Sequence, residues 1–151
     1  MSKISTAFDY FVTQLGILYP TKKRIPNPYS LVDNKDNLLS DSYGIRTSGH
    51  TFIEDQLCDK FTQEHTFRIT FTRELTRLES DVVKVDTIIK NLEEDMFTLE
   101  SFFYDVDNSG SPDTIEQVQL GSADPIGFIY SGKNNFLFYE TSLFVRINEA
   151  F

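Results

Sequence analysis

The chain has 151 residues, 40% of them apolar, with 14 Phe, 7 Tyr and no Trp. One domain spanning 1–151 fits that length and buries about two thirds of its unfolded surface, so folding needs no metal; Cys58 is the only cysteine, which excludes an internal disulfide. The formal charge of −9 is concentrated: residues 1–73 carry nine Lys/Arg against eight Asp/Glu (+1), residues 74–124 three against thirteen (−10), and residues 125–151 two against two. That acidic middle third argues against sequence-specific nucleic-acid binding there, because phosphate contacts need Lys and Arg. No apolar run approaches the ~20 residues of a membrane span.

A first helix is expected over Ser5–Leu18, where Ile4, Phe8, Phe11, Leu15 and Leu18 recur at intervals of three and four. Pro20 ends it by disfavouring helical backbone at Tyr19. Tyr10 and Ile17 fall off this stripe. Residues 20–49, with Pro20, Pro26, Pro28, several Asn and two Gly, read as a long irregular stretch. Its one basic cluster, Lys22-Lys23-Arg24, reads as a solvated turn.

A strand opens at Phe52-Ile53 and reaches toward Phe61. The clearest strand lies between His65 and Leu75, where Phe67, Ile69 and Phe71 alternate with Thr66, Arg68, Thr70 and Thr72. Arg68 and Arg73 are placed outside the core, paired with a neighbouring subunit's acidic half or with water.

The long helix, from Ser80 or Asp81 to Tyr104, is the most informative segment. Thr76 and Glu79 offer an earlier start through a capping box. Val82, Val85, Ile88, Ile89, Leu92, Met96, Leu99 and Phe103 make one apolar stripe. At ~100° per residue, Phe97 sits ~120°, Val83 ~160° and Phe102 ~100° from its centre. Phenylalanines on the outer flanks of a helix leave a surface that loops or another subunit must cover.

The last third reads as antiparallel sheet: Ile115–Leu120, Ile126–Tyr130, a turn at 131–134, and Phe136–Ile147. In the final strand Leu137, Tyr139, Leu143, Val145 and Ile147 share one face and Phe136, Phe138 and Phe144 the other. Two helices cannot cover both sides of such a sheet, so the second face is expected to meet a partner. The order of elements gives an α+β fold, a mostly antiparallel sheet with two main helices packed on one face.

One segment matches a metal-binding pattern. Asp105, Asp107, Ser109, Asp113 and Glu116 occupy positions 1, 3, 5, 9 and 12 of an EF-hand-like loop at 105–116, with Gly110 at the bend. Weak calcium binding is the one cofactor role this pattern admits. Pro112 at position 8, a β-prone exit and the lack of a second such loop weigh against it. Cys58, His50 and His65 match no zinc spacing and read as a buried or incidental thiol and two surface imidazoles. Glu93, Glu94 and Asp95 are consecutive on a helix and cannot face one another for acid–base work. Phosphate-loop, dinucleotide and nucleophile-elbow motifs are missing, and no enzyme is indicated.

In layout the chain resembles the tail terminator (tail completion) proteins of long-tailed bacteriophages. The resemblance lies in the amphipathic helix Ile4–Leu18, the proline-bearing loop around Arg24-Ile25-Pro26-Asn27-Pro28-Tyr29, the strand Thr66–Arg73, the long helix Asp81–Tyr104 and the closing antiparallel pair over Ile126–Ile147. It implies a virion protein assembled in the host cytoplasm as a homo-oligomeric ring of six. That ring caps the tail tube protein, meets the head connector protein and lets DNA pass through its centre. Another neck, connector or minor tail role is the nearest alternative. The expected interface comprises Val83, Phe97, Phe102, Arg68, Arg73, Phe136, Phe138 and Phe144.

Overall fold

The computed structural model describes residues 3–24, 41–53, 60–75, 82–104, 115–131 and 134–150. In chain order these form α1 (Lys3–Leu18), β1 (Lys23–Arg24), β2 (Asp41–Ile53), β3 (Lys60–Leu75), α2 (Val82–Tyr104), β4 (Ile115–Ala123), β5 (Gly127–Ser131) and β6 (Asn134–Ala150). The fold is α+β, as the periodicities predict. Residues 41–49, expected to be irregular, belong instead to β2. The predicted capping-box residues Thr76 and Glu79 lie outside the described residues.

The strands make one sheet in the order β1-β2-β3-β6-β4, with β5 pairing β6 beside β4. All pairings are antiparallel except the short β1–β2 contact. β3 and β6 pair along their full length, from Lys60↔Ala150 to Leu75↔Asn135. Side chains alternate across such a pair, so the register sets which residues share a face. Phe67, Ile69 and Phe71 stand beside Leu143, Thr141 and Tyr139 on the face that carries both helices.

The core fills that face. α1 contributes Ala7, Phe11 and Leu15, spaced by fours; α2 contributes Leu92, Met96 and Leu99; all are buried against Tyr43, Ile45, Phe67, Ile69, Phe71, Leu143, Val145 and Ile147. Edge-to-face ring contacts join the layers: Phe8 and Phe11 each lie 5.8 Å from Phe67, and Tyr19 lies 5.1 Å from Phe71. A bulge between Thr47 and His50 adds one residue to β2, so that Tyr43, Ile45 and Thr47 before it share a face with His50 and Phe52 after it. Gly49 takes φ +89° there, a left-handed conformation that costs glycine little.

Four charges lock the helices to the sheet. Lys22 Nζ lies 2.5 Å from Asp41 Oδ1 and 3.0 Å from Asp95 Oδ2. Arg73 reaches the same two carboxylates, at 3.0 Å and 3.2 Å. Arg73 therefore lies on the helix side of β3, a correction to its expected place outside the core, and its partners belong to its own chain. Nearby, the Tyr19 hydroxyl donates to the Asp95 carbonyl oxygen at 2.7 Å.

Two stability predictions follow from this cluster. Asp95→Ala removes one anion from both cations, each of which keeps Asp41, and should cost about 3 kcal/mol in urea unfolding. Burial, and then the charge of Asp95, raise the Tyr19 hydroxyl well above its usual value. The unfolded phenol ionises near pH ~10 while the folded one stays neutral. Its contribution is therefore intact below about pH 10 and falls above it, by up to ~1.4 kcal/mol per pH unit. Urea midpoints at neutral and strongly alkaline pH should show a steeper loss for the wild type than for Tyr19→Phe.

Candidate functional site

The sheet has a face without helices, and its polar groups answer one another. Arg46 Nη2 and Arg68 Nε both donate to Glu140 Oε1, at 2.9 Å and 2.8 Å. Arg68 also donates to Ser142 Oγ at 2.6 Å and to Asp124 Oδ2 at 2.5 Å. The bond to Glu140 raises the Arg68 guanidinium, against the lowering effect of burial. Two cations and two carboxylates balance here, so Arg68 finds acidic partners within its own chain. Below this cluster, the Ser42 and Thr72 hydroxyls bond each other and are buried.

The phenylalanines of this face have cover inside the chain as well. Phe136 is only 2% exposed, so it offers nothing to a partner. Phe138 is half-buried, and its ring crosses Gly127, where an added Cβ would come within 2.3 Å of it. Phe144 sits over Gly121 in the same way, at 3.0 Å. Glycine opposite an aromatic lets the ring lie flat across the neighbouring strand. The expected interface at Phe136, Phe138 and Phe144 is thus largely self-covered.

The helix side of the sheet is different at its two lateral edges. At one, Phe97 projects from α2 with 70% of its surface exposed. It borders a groove of about 970 Å³ between α2 and β4, lined by Glu100, Phe103, Val118 and Leu120 among others. β4 pairs β6 on one side; on the other it has no strand among the described residues, which leaves backbone donors and acceptors along the groove. Glu93 and Glu100, four residues before and three after Phe97, flank it on the same stripe. Glu93 accepts a hydrogen bond from the Tyr139 hydroxyl, which burial first and this carboxylate second hold above its usual range.

At the other end of the sheet, among the described residues, β1 pairs Ser42 and Tyr43 of β2. Beyond them, a cleft of about 450 Å³ opens between α1 and β2, lined by Ile4, Phe8, Ile45, Thr47, Asp9 and Arg24. The Arg24 guanidinium lies 5.9 Å from the centre of the Phe8 ring, a cation–π contact at the mouth of the cleft.

Of the remaining expected interface residues, Phe102 is half-buried with its ring edge-on to Phe103 at 5.0 Å. The Val83 side chain is outside the described set. Ile17, off the stripe of α1, is 66% exposed, while Tyr10 is half-buried with its ring edge-on to Phe11. Asp105, Asp107, Ser109 and Asp113 lie outside the described residues. Glu116 falls within β4, so a strand stands where an EF-hand would place its exit helix. Cys58 is also outside the described residues. His65 is buried, a correction to its expected surface position, with Nε2 3.0 Å from Gln63 Oε1 and its ring stacked on His50 at 4.8 Å.

Sequence reasoning missed the α1–β2 cleft and the exposed Phe128. A strand over residues 41–49 was the signal for the cleft; Tyr43 and Ile45 alternate, but Gly44 and Gly49 masked it. The fold defines a class no finer than an α+β protein with two helices on one face of a mostly antiparallel sheet. The chain matches no protein-family model and no curated protein.

Phe97→Asp should leave the fold intact, with a circular dichroism spectrum like the wild type and a urea stability changed by no more than about 0.5 kcal/mol, as for a surface position.

Proposed function

We propose that the protein is a self-assembling structural subunit of the tail terminator kind. In this reading its copies form a ring that closes the tail tube of a long-tailed bacteriophage and joins it to the head connector. The observation that carries the reading is the exposure of Phe97 beside a groove along β4, whose outer side meets no strand among the described residues. α2 is anchored by three buried residues and an ion-paired Asp95, so Phe97 is held outward by a rigid helix. A large apolar group presented this way loses water favourably only against another surface. The order of helix, strand, long helix and closing antiparallel strands supports the same reading through the layout it shares with that class.

The acidic charge of residues 74–124 fits a ring through which DNA moves without sticking, since a negative wall repels phosphate. Size-exclusion chromatography with light scattering, followed by negative-stain imaging, tests the proposal on the chain alone and with tube protein. Rings are expected, and Phe97→Asp should lose them. A well-folded wild type that stays monomeric in both settings at high concentration overturns it.

A further inference from the structure

Among the described residues, Phe97 and Ile17 are the most exposed large apolar side chains, and they stand in opposite electrostatic surroundings. Phe97 belongs to a groove. It forms one wall between α2 and β4, with Phe103 beside it and Val118 and Leu120 along the strand. Val118 and Leu120 pair with the core residues Val145 and Leu143, so they share the helix-bearing side of the sheet, yet α2 leaves both only half-buried. Glu100 lines the groove, exposed Glu93 and Glu94 precede Phe97 on α2, and no Lys or Arg is among the lining residues. Ile17 belongs to a ridge at the end of α1. It lies ~120° around the helix from Phe11, away from the core. Thr13 and Gly16 before it and Pro20 and Thr21 after it are exposed and short, so Ile17 stands above them. Lys22 is held by Asp41 and Asp95; Lys23, next along, is exposed. Residues 3–24 carry four Lys/Arg against one Asp (+3), whereas residues 82–104 carry two Lys against five Asp/Glu (−3).

We propose that copies of this chain associate head to tail, the Ile17 ridge of one copy seating in the α2–β4 groove of the next, against Phe97. The proposal rests on the assembly reading above and supplies its contact. Three features favour a second copy of this chain as the occupant. The charges are complementary, acidic along α2 and basic around the end of α1. The two exposed side chains are both apolar, so each removes the other from water. Every copy carries one ridge and one groove, and such a heterologous contact closes into a ring when the rotation per step divides a full turn. In a closed ring no ridge and no groove is left over. A two-fold dimer works against the charges either way. Phe97 against Phe97 would bring Glu93, Glu94 and Glu100 of both copies together, and Ile17 against Ile17 would bring the two Lys23 side chains together.

The test mixes two blocked variants of the full chain. Ile17→Asp removes the ridge and keeps the groove; Ser101→Trp, at an exposed position of α2 that lines the groove, fills the groove and keeps the ridge. Each alone should be monomeric by light scattering. Mixed, they should form a one-to-one dimer that grows no further, since one working ridge and one working groove remain. Lys23→Glu, a surface charge reversal, should weaken self-association by about tenfold, and Glu100→Lys in the same chain should restore it. Circular dichroism checks that the variants are folded. If the wild type forms rings and folded Ile17→Asp, Ser101→Trp or Lys23→Glu assembles as well as it does, this contact is wrong and the assembly reading stands. If the wild type stays monomeric at high concentration, alone and with tube protein, both fall.

Discussion

Lys22, Asp41, Arg73 and Asp95 form the contact on which the arrangement of this protein depends. Each cation touches both carboxylates, so four charges taken largely out of water compensate one another. The members come from the turn after α1, the start of β2, the end of β3 and the middle of α2. No other charged cluster among the described residues joins both helical regions to the sheet. It also fixes the rotation of α2 about its own axis. Asp95 and Phe97 are two residues apart, about 200° around a helix. Drawing Asp95 toward the sheet therefore turns Phe97 toward solvent.

The remaining polar chemistry sorts the surface into satisfied and unsatisfied parts. On the face without helices, Arg46, Arg68, Glu140 and Asp124 neutralise one another, and glycines at 121 and 127 make room for Phe144 and Phe138. That face contains many large and charged groups and yet leaves little undone. Among the described residues the β4 end leaves more open: the outer side of a strand and a projecting ring. Association is driven by what remains unpaired, not by what is merely apolar in sequence.

The same distinction explains what the sequence made legible. α2 could be read because its stripe is local: Leu92, Met96 and Leu99 repeat within one element, and Phe97 stands out against that repeat. β3 could be read for the same reason, from Phe67, Ile69 and Phe71. Arg73 continues the inward phase of β3, but its acceptance on that side depends on Asp41 and Asp95, which no local pattern connects to it. The cover of Phe138 and Phe144 depends on cross-strand register, which places Gly127 opposite one and Gly121 near the other. The first half of β2 was hidden by its glycines, and the cleft beside it was hidden with it. Of the candidate surface, the exposed Phe97 was visible and the α1–β2 cleft was not.

The pairing of β3 with β6 spans a helix and two further strands of chain. Closing so long a loop comes late and slowly in folding, because chain entropy is lost before the contacts that compensate it form. β4 and β5 hold to the sheet through β6 alone among the described strands. The groove beside Phe97 thus comes into being only once that slow closure has happened. Half-folded chains lack it, which gives the molecule a built-in delay: the surface that Phe97 borders is presented only by the mature fold.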